Sequence, residues 1–248
     1  MNIKITLLSF ILLLSSPFFA QDALKIKYGK QEKWELNEES AKDPRLAEAE
    51  LRAMEEIRDF ELILYNNQAE YSFIQKIDNQ QHDKDGSPRV IVSFGNDNDK
   101  HYLDYDTGVH YTSSPILSKH RIFKRNLPTY DWQLTRETKK ILGLEVRKAT
   151  AKLDNSSIVA WYAPKIPYKA GPEHIWGLPG LILEYKLNNN DYEIHVFAQE
   201  LEYLKDGNIK INFPDDSAAI SQEEYQKLIM EEAKRMEEMY SQGVDTSD

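Results

Sequence analysis

The sequence predicts an α+β fold: a curved antiparallel β-sheet or incompletely closed β-barrel, with a helix inserted near the N-terminus and an amphipathic helix at the C-terminus. Three observations predict it. Short apolar–polar alternations recur along most of the chain, Asn, Asp, Gly and Pro punctuate them at hairpin distances, and two segments switch to helical spacing. Successive hairpins imply antiparallel pairing, because parallel neighbours need long crossovers that the chain lacks. A sheet of many short strands must curl or close.

The first strand is predicted where Leu24, Ile26 and Tyr28 alternate with lysines. Asp43 then has the position of an N-cap, with Pro44 as first helical residue, and Ala47, Leu51, Met54 and Ile57 form a stripe expected to face the core. Phe60, Leu62 and Leu64, then Tyr71, Phe73 and Ile74, flank an Asn66-Asn67-Gln68 turn and predict a hairpin. Short strands are expected over 89–94, 101–105, 109–113, 120–124 and 130–134. A longer pair follows over 137–152 and 158–162, joined at Asp154-Asn155-Ser156, and a last hairpin pairs 181–186 with 192–203. Ser221 and Glu224 have capping-box spacing, and Tyr225, Leu228, Ile229, Ala233, Met236 and Tyr240 carry a helix over about 221–241. Its apolar stripe packs along the sheet or serves a partner.

Lys4, a nearly unbroken apolar run from Ile5 to Leu14, and Ala20 ahead of Gln21 read as a secretory signal peptide, 1–20, cleaved near Ala20. Residues 21–248 are then expected to form one domain, located in the periplasm or extracellular space. The signal carries one Lys and no acid, so the remainder holds 30 basic and 41 acidic residues, a net charge of −11. That balance argues against nucleic-acid binding, which needs a dense basic face. No later window is long and apolar enough for a transmembrane segment. With no Cys, thiol catalysis and disulfides are excluded. A monomer is expected.

Trp161-Tyr162-Ala163-Pro164 leads through Gly171-Pro172-Glu173-His174-Ile175-Trp176 to Gly177-Leu178-Pro179-Gly180-Leu181-Ile182. This segment resembles the GLPGLI family of exported Bacteroidetes-type proteins, named for that hexapeptide. Upstream, Gly143-Leu144-Glu145-Val146-Arg147-Lys148-Ala149-Thr150 is similar to a strand of the family, with Leu144 in place of its aromatic and Val146 in place of its Cys. The resemblance implies an exported protein and brings no catalytic residues with it. In physical terms, Pro179 and Gly180 suit the centre of a type II turn, and Gly177 permits close backbone approach. Pro164, Pro167 and Pro172 make the stretch an extended connection rather than a central strand. It is expected either to cap the sheet or to bound a groove for a ligand or partner with Trp161, Tyr162, His174, Ile175, Trp176 and Leu178.

Catalytic patterns lack partners. Asp106-Thr107-Gly108 matches the aspartic-protease tripeptide but reads as a hairpin turn, which in a three-residue form sets Asp104 across from His110, with Tyr102 and Thr112 on the same face. Gly95-Asn96-Asp97-Asn98-Asp99 lacks the spacing of a calcium loop, and no Gly-x-Ser-x-Gly elbow or phosphate loop occurs. Asp216-Ser217-Ala218 resembles an O-glycosylation acceptor. No catalytic residue, cofactor or metal is expected. The function expected is a non-catalytic periplasmic binding or chaperone-like module for a peptide, lipid or envelope protein; the alternative is an envelope hydrolase or an accessory to an outer-membrane uptake system.

Overall fold

The computed structural model describes residues 23–36, 40–75, 99–116, 119–153, 155–204 and 209–242. The expected signal peptide, the strand at 89–94 and most of the acidic turn before Asp99 lie outside them. The described strands are β1 (Ala23–Trp34), β2 (Arg58–Tyr65), β3 (Gln68–Phe73), β4 (Lys100–Asp104), β5 (Val109–Ile116), β6 (Lys119–Asn126), β7 (Gln133–Ile141), β8 (Leu144–Leu153), β9 (Ser156–Ala163), β10 (Leu181–Asn188), β11 (Tyr192–Leu204) and β12 (Ala219–Ile220). They form one curved sheet in the order β12-β6-β5-β4-β3-β2-β1-β11-β10-β9-β8-β7, with β12 and β7 as edges, so the sheet stays open. Pairing is antiparallel except for β12, which runs parallel to β6.

Period-two alternation explains the core. Leu24, Ile26 and Tyr28 of β1 face Leu64, Leu62 and Phe60 of β2, which in turn face Ala69, Tyr71 and Phe73 of β3. The same concave face continues through Val196, Tyr185, Ile158, Ala160 and Ala149, all buried in one cluster. Each buried Leu or Ile is worth about 1.5–3 kcal/mol, so this inner face, and not the helices, holds the domain together.

The helices are α1 (Pro44–Glu55) and α2 (Gln222–Gln242). Asp43 caps α1 by accepting from Arg45 N at 2.9 Å, and Ser221 Oγ accepts from Glu224 N at 3.2 Å at the start of α2. The stripe expected to bury α1 does not do so: Leu51 and Ile57 are exposed, as is the neighbouring Leu46, and the buried residue of α1 is Glu50. Glu50 is drawn in by polar bonds, accepting from Trp34 Nε1 at 3.2 Å and from Ser40 Oγ. Helix α2 meets the sheet at Tyr225, stacked on Phe123 of β6 at 4.6 Å, whereas Met230 is exposed.

Three further expectations change. The long strand at 137–152 is a hairpin, β7 and β8, turning at Leu142 (φ 50) and Gly143 (φ 77). A primed two-residue turn suits the twist of its strands, and Gly143 was the signal for it. Residues 130–132 are connection, and β7 starts at Gln133. Between β4 and β5 four residues turn, so Asp104 lies opposite Val109, and His110 opposite Leu103. A shift of one residue carries each side chain to the other face, and His110 accordingly points inward and is fully buried.

Candidate binding cavity

Residues 164–180, joining β9 to β10, fold back over the concave face. Ile166, Tyr168, Ala170, Ile175 and Leu178 are buried there, and backbone bonds fix the path: Leu181 N to Ile166 O at 3.0 Å, Ile182 N to Ala170 O at 2.9 Å, Gly177 N to Lys169 O at 2.9 Å. At Pro179 the chain turns more tightly than a type II turn, with Gly180 N donating to Leu178 O at 2.8 Å. Trp132 Nε1 donates to Trp176 O at 2.9 Å, and Trp176 Nε1 to Pro128 O at 2.7 Å, which ties this connection to the one before β7.

Beside the connection the inner face holds a cavity of about 550 Å³. Strand β1 contributes Lys30, Glu32 and Trp34, β2 Phe60, β3 Tyr71, β4 His101, β6 Arg125, β11 Tyr192 and Ile194, and the connection Glu173 and His174; Asp99 also borders it. A second hollow of about 390 Å³ runs along α2 between Glu223, Lys227, Met230 and Lys234, but it belongs to one helix and brings no groups together from different elements.

Two polar constellations define the cavity. In the first, Lys30 Nζ sits 2.7 Å from Glu173 Oε1 and 3.0 Å from Glu32 Oε1, Arg58 also pairs with Glu32, and Tyr185 Oη donates to Glu173 Oε2 at 2.8 Å. Burial opposes ionisation of Glu173, but Lys30, His174 and the Tyr185 hydroxyl outweigh it and hold its pKa at about 2. Burial likewise works against the Lys30 ammonium, and Glu173 and Glu32 overcome it, raising its pKa. The pair stays ionised across the physiological range.

In the second, Arg125 Nε donates to His110 Nδ1 at 2.9 Å, and His110 Nε2 lies 3.0 Å from His101 Nδ1. Since Arg only donates, His110 Nδ1 must accept, Nε2 of the neutral ring carries the proton, and it donates to His101 Nδ1. His101 is left with its proton on Nε2. Burial pulls His101 down to about 4 and His110 to about 2, helped in each case by Arg125, and lowers His174 as well. All three rings are therefore neutral at pH 7. Among the described residues no group of three or more His, Cys, Asp or Glu is placed to hold a metal ion.

Of the six predicted groove residues, His174 alone borders this cavity. Tyr162, Ile175 and Leu178 are in the core. Trp161 and Tyr162 are neighbours on one strand and point to opposite faces, so they do not bound one groove. Trp161 sits on the outer face with Lys139 Nζ 4.4 Å from its ring centroid. Trp176 is a half-buried tie that packs on Tyr105 at 5.8 Å. Accordingly, Trp176→Ala should lower stability in urea by about 3 kcal/mol, and Trp161→Ala by only about 1 kcal/mol.

Lys30, His101 and Arg125 were not singled out in the sequence, while His110 was placed opposite Asp104 instead of Leu103 and Glu173 was given no role. Parity was the available signal for two of them: Lys30, Glu32 and Trp34 continue the inward positions of Tyr28, and Arg125 those of Phe123.

A family model described as the N-glycanase peptide, N-terminal domain, matches residues 109–235, from β5 into α2. Two solved structures of PNGF-II, in C2 and P21 space groups, have the same fold, each with a TM-score of 0.53. Their identities to this chain are 18% and 17%, and each match covers 84% of this chain and 33% of PNGF-II. The chain thus spans about a third of the length of that protein. No curated protein matches it.

Proposed function

The chain belongs to the family of the N-glycanase peptide N-terminal domain, and we propose that it is a non-catalytic binding module whose cavity holds a saccharide. The cavity itself carries this reading. Its about 550 Å³ lies within the range of about 300–1,000 Å³ usual for ligand sites. Phe60, Tyr71, Trp34 and Tyr192 supply aromatic surface, and the Lys30–Glu173 pair and the histidine chain supply polar groups already held in position. A sugar ring has an apolar C–H face and a hydroxylated edge, and this combination suits both. The apolar groove for a lipid or peptide expected from the sequence fits less well, because the aliphatic members of that groove are consumed by the core. Export to the periplasm or beyond, drawn from the signal peptide and the GLPGLI resemblance, belongs to the proposal.

A hydrolase is the second reading, favoured by the convergence of titratable groups in one concave site. Against it, Glu173 is locked as a carboxylate by Lys30, and the histidines have too low a basicity to abstract a proton efficiently near pH 7. Titration with N,N′-diacetylchitobiose, followed by tryptophan fluorescence, tests the proposal. Saturable quenching is expected, weakened about tenfold in Tyr192→Ala, whose ring stands exposed at the rim. No response to the disaccharide would count against it, and release of glycan from a glycopeptide would favour the hydrolase.

A further inference from the structure

We propose that Arg125, with His101 and His174, forms an oxyanion subsite in this cavity, which takes the carboxylate or phosphate group of an acidic sugar. The subsite rests on the cavity reading above, but its evidence is separate. Arg125 is half-buried on β6, and its one hydrogen bond among the described residues goes through Nε to His110. That bond sets the plane of the guanidinium and leaves both terminal nitrogens without a partner among the described residues. Arg125 has no carboxylate within ion-pair distance among the described residues, in contrast to Lys30 and Arg58. Of the cavity carboxylates, Glu173 is the one that acts on it, and Lys30 already neutralises Glu173. A half-buried guanidinium with no carboxylate paired to it among the described residues takes a bound anion as its natural complement.

The two histidines add donors at the same place. His101 Nδ1 is occupied by His110, so its protonated Nε2 is the nitrogen left to donate. His174 makes no ring hydrogen bond among the described residues; its backbone carbonyl accepts from Tyr130 Oη at 3.4 Å. Neither these ring nitrogens nor the Arg125 terminal nitrogens are both sealed from solvent and unbonded, and all three residues border the cavity. The Arg125–His110–His101 chain of hydrogen bonds, and the cavity that His174 borders with Arg125 and His101, place the three side chains in one neighbourhood. A fork of two terminal N–H groups beside imidazole donors matches the planar edge of a carboxylate or two oxygens of a phosphate.

Calorimetric titration of the full chain with glucuronate, glucose 6-phosphate and glucose, along with acetate and inorganic phosphate alone, tests the subsite. The acidic sugars should bind at least about tenfold more tightly than glucose, and Arg125→Gln should erase that difference. Preference between glucuronate and glucose 6-phosphate identifies which oxyanion is taken. Unfolding curves check that the variant is folded; if it is not, Arg125→Lys keeps the charge while losing the fork, and should lose most of the discrimination. Arg125-dependent binding of acetate or phosphate with no gain from the sugar ring supports the subsite and sinks the saccharide reading. Equal affinity for glucose and its acidic forms, or full discrimination in a folded Arg125→Gln protein, overturns the subsite and leaves the saccharide reading intact. No binding of any probe overturns both.

Discussion

Lys30→Met should cost about 3–5 kcal/mol of stability at pH 7, because it leaves the Glu173 carboxylate in the protein interior without its partner. Both side chains are about 15% exposed, 14% for Lys30 and 15% for Glu173, so solvent does little to screen the pair. The double variant Lys30→Met, Glu173→Gln should recover much of the loss, since no buried charge then remains. The pH dependence has a definite sign. Glu173 has a folded pKa of about 2, below its ordinary 4.5, so its contribution is full above pH 4.5 and is lost as the pH falls toward 2. The pKa of Lys30 is raised above 10.5, so its contribution is full below that value and is lost as pH rises beyond it. In Lys30→Met the carboxyl can escape its penalty by protonating, so the deficit measured by urea unfolding should shrink between pH 7 and pH 4. An equal deficit at both pH values would show that lost packing, and not the charge, is responsible.

Gly180→Ala should be nearly as damaging, at about 3 kcal/mol, with poor recovery of folded protein. A methyl group there would lie 2.3 Å from the carbonyl oxygen of Ala163 and 2.9 Å from Cα of Pro164. Those are backbone atoms at the exit of β9, and they cannot move without disturbing the connection that carries Glu173 and His174. Gly143→Ala is the control. Its φ is +77, but nothing lies within 4 Å of the added carbon, so only backbone strain of about 1 kcal/mol is expected. Thermal unfolding of the two variants side by side should separate steric collision from strain.

The fold was legible wherever one face of a strand is apolar. Leu24-Ile26-Tyr28, Phe60-Leu62-Leu64 and the turn at Asn66-Asn67 announce themselves by period two and by residues that tolerate positive φ, seen at 49° and 57°. Caps at Asp43 and Ser221 were legible for the same local reason. The burial of helix α1 was not, because helical spacing says which residues share a face and not whether anything packs against it; Leu46 and Leu51 face solvent while Glu50 is buried by its bonds. The cavity was hidden by two effects. Polar residues at inward positions break the apolar alternation, so Lys30, His101 and Arg125 look like solvent-facing residues until their parity is traced. The turn at 105–108 then depended on one residue of register: Asp104 accepts from the backbone N–H of both Asp106 and Thr107, which stabilises a four-residue turn and turns His110 inward. The motif at 177–182 was visible from the outset, but its role is to shape the connection, while the groups that line the cavity come from six strands distant in sequence and from the Glu173-His174 corner just ahead of it.

The most direct measurement of the central claim is a long-range ¹H–¹⁵N spectrum of the histidine rings, recorded while N,N′-diacetylchitobiose is added. His101 and His174 border the cavity, whereas His120 is exposed on β6 and His195 pairs with Glu184 away from it. The account predicts saturable shifts at His101 and His174, with His120 and His195 unmoved; shifts confined to His120 or His195, or none at any ring at saturating disaccharide, would contradict it.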